Sequence, residues 1–106
     1  MRLVNIQQKF GAMYGELLNA CDNQAAAAYV ALEISKTNGC NYCIGMHTED
    51  LAQFTENQIA ALDLDKLSSI IEGVVKCYLV ESEHYDVALI EYAILVNSLN
   101  RIGKLS

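Results

Sequence analysis

The most informative stretch of the chain reads NGCNYCIGMH and covers residues 38–47. Its opening Asn-Gly pair is a turn signal, which predicts the end of one helix and the start of the next, with Cys40 in the first turn. Residues three, four and seven positions apart share a helical face, so Cys40, Cys43 and His47 are expected to be neighbours. A helix N-terminus stabilises a thiolate, which is the reactive form of cysteine. The pattern therefore predicts a redox site or a metal site.

The composition indicates a single domain, residues 1–106, with an apolar bias. Hydrophobic residues make up 53% and the mean hydropathy is +0.18. No uncharged apolar run approaches the ~18 residues that a membrane span needs. The formal net charge of -6 and the pI near 4.7 argue against nucleic acid or an anionic membrane as a partner, because either would select a basic stripe. Apolar surface in excess of what so short a chain buries predicts a homo-oligomer.

The use of cysteine favours chemistry over cross-linking. The chain begins without the apolar core of a signal peptide, which makes the cytoplasm the expected location. In that reducing compartment four cysteines are not expected to form a structural disulfide framework, so a C-x-x-C pair indicates catalysis or metal binding. Cys21 and Cys77 fall at apolar helical positions and are predicted to be small buried side chains.

The rest of the chain predicts an all-α bundle of about six helices. Proline is absent, and apolar residues recur with the period of a helix. The expected helices are 5–20, 24–37, 40–54, 55–62, a fifth that carries the apolar stripe 67–79, and 85–102. The expected caps are Asp22 or Asn23 for the second helix, Thr55 with Gln58 for the fourth, Asp63 or Asp65 for the fifth, and Gly103 as the stop of the last.

The third helix is predicted to carry its chemistry and its packing on one face. Cys40, Cys43 and His47 lie on the inward stripe, whereas Asp50 looks outward. In the last helix Tyr92 is predicted to pack in the core. Three polar residues near its end are expected to cap or bridge helices between subunits: Asn97, Asn100 and Arg101.

The motif, the segment Thr48-Glu49-Asp50-Leu51 that follows it and the run 97–101 together resemble the AhpD-like alkylhydroperoxidase family, part of the carboxymuconolactone decarboxylase superfamily. The match covers residues 24–62 well and the last helix more loosely. The resemblance implies an all-α homo-oligomer, a trimer or a hexamer, with a peroxidase and disulfide-reductase centre. It also implies a peroxidatic thiol at Cys43, a resolving thiol at Cys40 that faces the reductant, and a proton relay at His47.

One position departs from the family pattern. The family relay usually includes a glutamate twelve residues before the first cysteine, and this chain has Ala28 there. Glu33 is the nearest carboxylate on the same helix, but helical rotation turns it roughly 140° away from Ala28. A relay role for Glu33 stays open beside simple pairing with Lys36. The missing glutamate favours slower disulfide exchange over rapid peroxide reduction.

Other functions remain open beside this one. Cys40, Cys43 and His47 offer three ligands for zinc, but a structural zinc site takes four, and the remaining candidates are isolated ones: Cys21, Cys77 and His84. His84 is more simply a solvated turn residue. A thioredoxin-like protein needs a strand before its C-x-x-C, and no strand pattern is present. A non-catalytic oligomeric module that kept the fold but lost the relay also fits Ala28, and thiol reactivity distinguishes it from an enzyme.

We therefore predict a thiol-dependent oxidoreductase that reduces hydroperoxides or disulfides through a Cys40/Cys43 dithiol–disulfide couple. Such a cycle needs three groups: a nucleophilic thiol, a proton donor and a resolving thiol. Electrons are expected from a dithiol or thioredoxin-type reductant. No metal and no other cofactor is expected.

Overall fold

A computed structural model describes residues 4–77 and 86–105 of the chain. The helices are α1 (Val4–Ala20), α2 (Gln24–Asn38), α3 (Asn41–Leu51), α4 (Glu56–Ala60), α5 (Leu64–Lys76) and α6 (Val87–Leu105). The residues described contain no strand. The predicted all-α fold of about six helices is thereby confirmed. The predicted packing of Tyr78 and Leu79 and the predicted turn at His84 lie outside the described residues.

The central helix is α2, which packs against each of the other five. Its first turn is the run from Ala25 to Ala28, and all four of these alanines are buried. Because an alanine side chain ends at Cβ, neighbouring backbones can approach this face closely. Farther along the helix the larger side chains of Val30 and Ile34 are fully buried. This helix therefore holds α3 and α6, the helices on which most of the site residues lie.

Three predicted helix starts are confirmed. The side chain of Asn23 accepts a hydrogen bond from the N–H of Ala26 at 3.1 Å. Thr55 and Gln58 form the reciprocal capping box at the start of α4. Of the two aspartates predicted for α5, Asp63 is the cap, because its side chain accepts from the N–H of Lys66. Such caps satisfy N–H groups that have no partner inside the helix.

Two predicted helix ends are wrong. α6 continues through Gly103 to Leu105. A glycine lowers helix stability by roughly 1 kcal/mol but does not by itself prevent helical dihedral angles. α3 ends at Leu51, three residues before the predicted end at 54.

The predicted burial of Cys77 is also wrong. Cys77 ends α5 in the left-handed conformation, with φ 59°, and its side chain is exposed. The chain leaves the helix after Lys76, so the helical period that predicted an inward position no longer applies at residue 77.

Asparagine side chains join α2 to α6. The side-chain nitrogen of Asn38 donates to Oδ1 of Asn97 at 2.8 Å and to Oδ1 of Asn100 at 3.2 Å. Both partners on α6 are buried. Asn97 and Asn100 thus bridge α6 to α2 within one chain, and the predicted bridge between subunits stays a prediction. The predicted packing of Tyr92 in the core is confirmed, since its side chain is almost fully buried.

Candidate thiol site

The turn between α2 and α3 places Cys40 at the start of α3. Gly39 adopts the left-handed conformation, with φ 69° and ψ 31°, which disfavours any residue with a Cβ by about 1 kcal/mol or more. The N–H of Gly39 donates to the carbonyl of Lys36 at 3.2 Å. The N–H of Cys40 donates to the carbonyl of Ser35 at 3.1 Å. These bonds close the end of α2, so the chain reverses direction. Cys40 becomes the N-cap of α3, one position before the predicted first turn.

Cys40 and Cys43 form a disulfide across the first turn of α3, with their Cα atoms 5.3 Å apart. That separation lies in the ordinary range for disulfides. Both residues are half-buried, and the Cys40 side chain makes no capping hydrogen bond. The first N–H groups of a helix have no partner inside it. After reduction, a thiolate at either position lies near those N–H groups and the positive end of the helix dipole, which stabilise it.

His47 lies one helical turn after Cys43 and is only 2% exposed. Its Nδ1 is 3.5 Å from Oδ2 of Asp50, which is long for a hydrogen bond. Within the described part of the chain this nitrogen has no hydrogen-bond partner. Burial lowers the pKa of His47 from its ordinary value of 6.5, and the Asp50 carboxylate opposes that shift without cancelling it. The imidazole is therefore neutral at pH 7, with one nitrogen able to accept a proton.

Asp50 does not lie on the outward face to which the sequence assigned it. Its side chain is half-buried, and the carboxylate reaches back toward His47, three positions earlier on α3. Side chains at i and i+3 are neighbours on a helix surface. The spacing of three from His47 could therefore have identified Asp50 in the sequence. It was missed because the prediction assigned Asp50 to the outward face of α3.

One tyrosine borders the histidine and is itself bonded to a second tyrosine from a distant part of the chain. The Tyr14 ring centroid lies 6.4 Å from that of His47. The Tyr92 hydroxyl donates to the Tyr14 hydroxyl at 3.0 Å, which joins α6 to α1. Burial raises the pKa of both phenols above the ordinary value of 10.0, so both are neutral at pH 7. The sequence offered no signal for this pair, because 78 positions separate the two residues.

Two cavities adjoin the site. The smaller one, of about 170 Å³, has Cys43 and His47 in its wall. The rest of that wall is mainly apolar: Gly11, Tyr14, Met46, Val96, Leu99 and Asn100. The larger one, of about 320 Å³, is lined by Tyr14, Leu18, Gln24, Ala28, Met46, Asp50, Gln53, Phe54 and Tyr92. Because Tyr14 and Met46 belong to both walls, the two cavities are neighbours.

Glu33 lies in different surroundings. Its carboxylate is 3.3 Å from Nζ of Lys36, in an exposed i, i+3 pair. It lines a cavity of about 260 Å³ together with α5 residues such as Glu72 and Val75. The wall of that cavity includes none of the site residues Cys40, Cys43, His47 and Asp50. The structure thus brings Cys40, Cys43 and His47 together and places Glu33 with Lys36.

The remaining thiols are separate from the site. Cys21 is buried and donates a weak hydrogen bond to the carbonyl of Leu17 at 3.2 Å. Burial raises its pKa to about 11, and the nearby carboxylates of Asp86 and Asp22 add to the shift. Its predicted burial is confirmed, and the raised pKa keeps it as an unreactive thiol at pH 7. Among the described residues, no group of three or more His, Cys, Asp or Glu side chains is placed to hold a metal ion.

Comparisons of the chain with protein-family models, curated proteins and solved structures return no match. In the ranges that the structure describes, no helix has both the length and the hydropathy needed to cross a membrane.

Proposed function

We propose that the chain is a thiol-dependent oxidoreductase that reduces hydroperoxides or disulfides through Cys40 and Cys43. One observation carries the proposal: a cysteine pair opens α3, and a buried neutral histidine one turn later faces the same cavity as Cys43. A nucleophilic thiol within reach of a base that is itself held in place is the usual arrangement for covalent thiol chemistry. The likeness of the motif to the AhpD-like family supports the same activity.

The proposed cycle begins with the Cys43 thiol, which gives its proton to His47. The resulting thiolate attacks the terminal oxygen of the hydroperoxide, so an S–O bond forms and the O–O bond breaks. The leaving alkoxide takes the proton from the His47 imidazolium. Cys40 then attacks the sulfenic acid at Cys43, the disulfide forms, and water leaves.

A dithiol reductant closes the cycle. Its thiolate attacks the Cys40–Cys43 disulfide, a mixed disulfide forms, and its second thiol completes the exchange, so that an electron pair returns to the protein and the donor becomes a disulfide. A disulfide substrate runs through these exchange steps alone. Because thiols persist in a reducing compartment, we propose the cytoplasm as the location.

The test is turnover of a hydroperoxide and of a small disulfide with a dithiol donor. Cys43→Ser is expected to lose both activities. In the absence of the dithiol donor, Cys40→Ser is expected to react once with peroxide and to stop as a sulfenic acid, which intact mass detects as the gain of an oxygen. Cys77→Ser is the matched control, because Cys77 is an exposed thiol outside the site, and it keeps wild-type rates.

Absence of turnover in the wild type would overturn the proposal in favour of a non-catalytic module. Stoichiometric zinc bound through Cys40 and Cys43 in the purified protein would overturn it as well.

We also propose that the chain assembles as a trimer or a hexamer of identical subunits. Large apolar side chains stay exposed on α1 and α6, among them Met13 at 46% and Ile94 at 51%. A shallow cavity between these two helices has mainly apolar walls, including Phe10, Leu17 and Leu95. Exposed apolar patches of this kind mark interfaces. Light scattering that showed a single 11.7 kDa species would contradict assembly.

A further inference from the structure

We infer that Asp50 is a positioning residue for His47: it accepts a hydrogen bond from Nδ1–H, leaves Nε2 as the base, and connects the buried imidazole to solvent. This inference rests on the proposed function, in which His47 moves a proton to and from Cys43. It adds a residue to the site that neither the motif nor its spacing identified.

The geometry provides the first argument. Nδ1 of His47 is buried in a side chain that is 2% exposed, and the described residues offer it no hydrogen bond. Leaving a buried polar nitrogen unpaired costs free energy, so the fold gains from any acceptor that reaches it. Oδ2 of Asp50, at 3.5 Å, needs to move only a few tenths of an ångström to reach hydrogen-bond distance.

The second argument concerns the other groups that face His47. On α3 itself these are the Cys40–Cys43 pair and Asp50. From α1 the facing group is Tyr14, whose hydroxyl accepts a hydrogen bond from the Tyr92 hydroxyl of α6. The α2 residues in the adjoining cavity are Gln24 and Ala28, neither of which carries a charge. Among the residues that the structure describes, Asp50 is thus the one carboxylate that lines either cavity, and no lysine or arginine lines them.

The tautomer follows from the placement of the carboxylate. A carboxylate beside Nδ1 favours the neutral form that carries its proton there, because a carboxylate accepts hydrogen bonds and does not donate them. Nε2 is then unprotonated and is the nitrogen that can take the thiol proton. The same division of work between an orienting carboxylate and an imidazole base occurs in serine hydrolases.

The exposure of Asp50 gives it a further role. Its side chain is 44% exposed, whereas that of His47 is 2% exposed. The carboxylate can therefore contact water while it holds Nδ1–H, and the proton on that nitrogen stays in place while Nε2 takes and releases the thiol proton. The adjoining cavity of about 320 Å³ has Asp50 in its wall and space for ordered water.

The experiment is nitrogen-15 NMR of the histidine side chains in the reduced protein, from pH 5 to 8. His84→Gln assigns the two histidines, and Asp50→Asn is compared with Glu49→Gln, the exposed neighbouring carboxylate. In the wild type we expect His47 as the Nδ1–H tautomer. In Asp50→Asn we expect a lower His47 pKa, because burial remains and the opposing carboxylate is gone, and a mixture of tautomers.

The kinetic readout is the rate of Cys43 alkylation and of peroxide reduction as a function of pH. Asp50→Asn is expected to slow peroxide reduction by roughly 10-fold, the lower end of the range for groups that orient a functional histidine, and to shift the acid limb of the profile. Glu49→Gln is expected to change neither readout. Rescue by Asp50→Glu would identify the carboxylate as the cause.

An Nε2–H tautomer in the wild type, or an Asp50→Asn protein with unchanged tautomer and pH profile, would overturn the inference. Either result leaves the proposed function standing if turnover persists. Conversely, a wild type without turnover removes the proposed function, while the tautomer and its dependence on Asp50 are still measured.

Discussion

Glu33 and Asp50 are carboxylates at equal distances from the thiol pair in sequence, and the fold gives them opposite surroundings. Glu33 precedes Cys40 by seven residues, and Asp50 follows Cys43 by seven. Glu33 pairs with the exposed Lys36. It also lines a cavity that α2 shares with α5. Asp50 lies beside the buried His47 in a cavity shared with α1 and α6.

The difference shows that the partner of a carboxylate decides what it can do. An exposed pair such as Glu33–Lys36 contributes about 0–1 kcal/mol to stability and is screened by salt. A carboxylate beside a buried imidazole changes the proton affinity of that base. We call the α2 face that carries Ala28 the Asp50 side of α2, because Ala28 lines the same cavity as Asp50. Substitutions on this side are expected to change the chemistry.

The largest expected effect comes from removing the base. His47→Gln is expected to slow peroxide attack by roughly 10²–10⁴, the range for a positioned acid–base group. Glu33→Gln is the matched change on the other side of α2 and is expected to alter the rate by less than about 2-fold, as for an exposed ion pair. Stopped-flow peroxide reduction measures both.

Equal rates for His47→Gln and the wild type would show that the helix start alone activates the thiols. A large loss in Glu33→Gln would reverse the comparison and give the relay role to Glu33.

A smaller effect is expected from adding a carboxylate on the Asp50 side. Ala28 lines the same cavity as Asp50, so Ala28→Glu places a second carboxylate near the histidine. We expect peroxide turnover to rise several-fold in the wild-type background, because a nearby negative charge favours the protonated imidazole that serves the leaving alkoxide. The double variant Asp50→Asn, Ala28→Glu is expected to regain part of the lost rate.

The control for this substitution is Ala28→Gln, which has the same shape without the charge. Buried polar groups reduce stability, so the unfolding midpoint of each variant is measured alongside. Equal turnover for Ala28→Glu and Ala28→Gln would contradict the expected effect of charge.

The smallest expected effect is on stability as a function of pH. Burial lowers the pKa of His47 below 6.5, so the unfolded chain binds a proton here at a pH at which the folded protein does not. Stability must therefore fall as the pH drops below about 6.5 and level off below the folded-state pKa. Urea unfolding at pH 7.5 and 5.5, under one fixed redox condition, measures the loss.

His47→Gln is expected to lose less stability than the wild type between these two pH values, since it has no imidazole to protonate. An equal loss in both proteins would indicate that the imidazole is not buried as the structure has it.

Much of the fold follows from short stretches of sequence. The caps Asn23, Thr55 and Asp63 act within three residues of themselves, and a helical period is visible wherever one helix face is buried. The errors at Gly103 and Cys77 arise where the backbone at a helix end depends on more than the local residues. Local preferences there amount to about 1 kcal/mol, which packing easily exceeds.

Local signals are enough to predict that the helices form, that the turn at Gly39 separates α2 from α3, and that Cys40 lies at the start of the helix that carries Cys43 and His47. These features depend on residues at most seven positions apart, so helix geometry alone relates them. Helix geometry could not predict that Tyr14 meets Tyr92 across 78 positions, or that Glu33 lines a cavity that does not include His47. Burial and desolvation depend on which helices pack together. That packing brings together residues far apart in the chain, and the helical period within one segment does not predict such contacts.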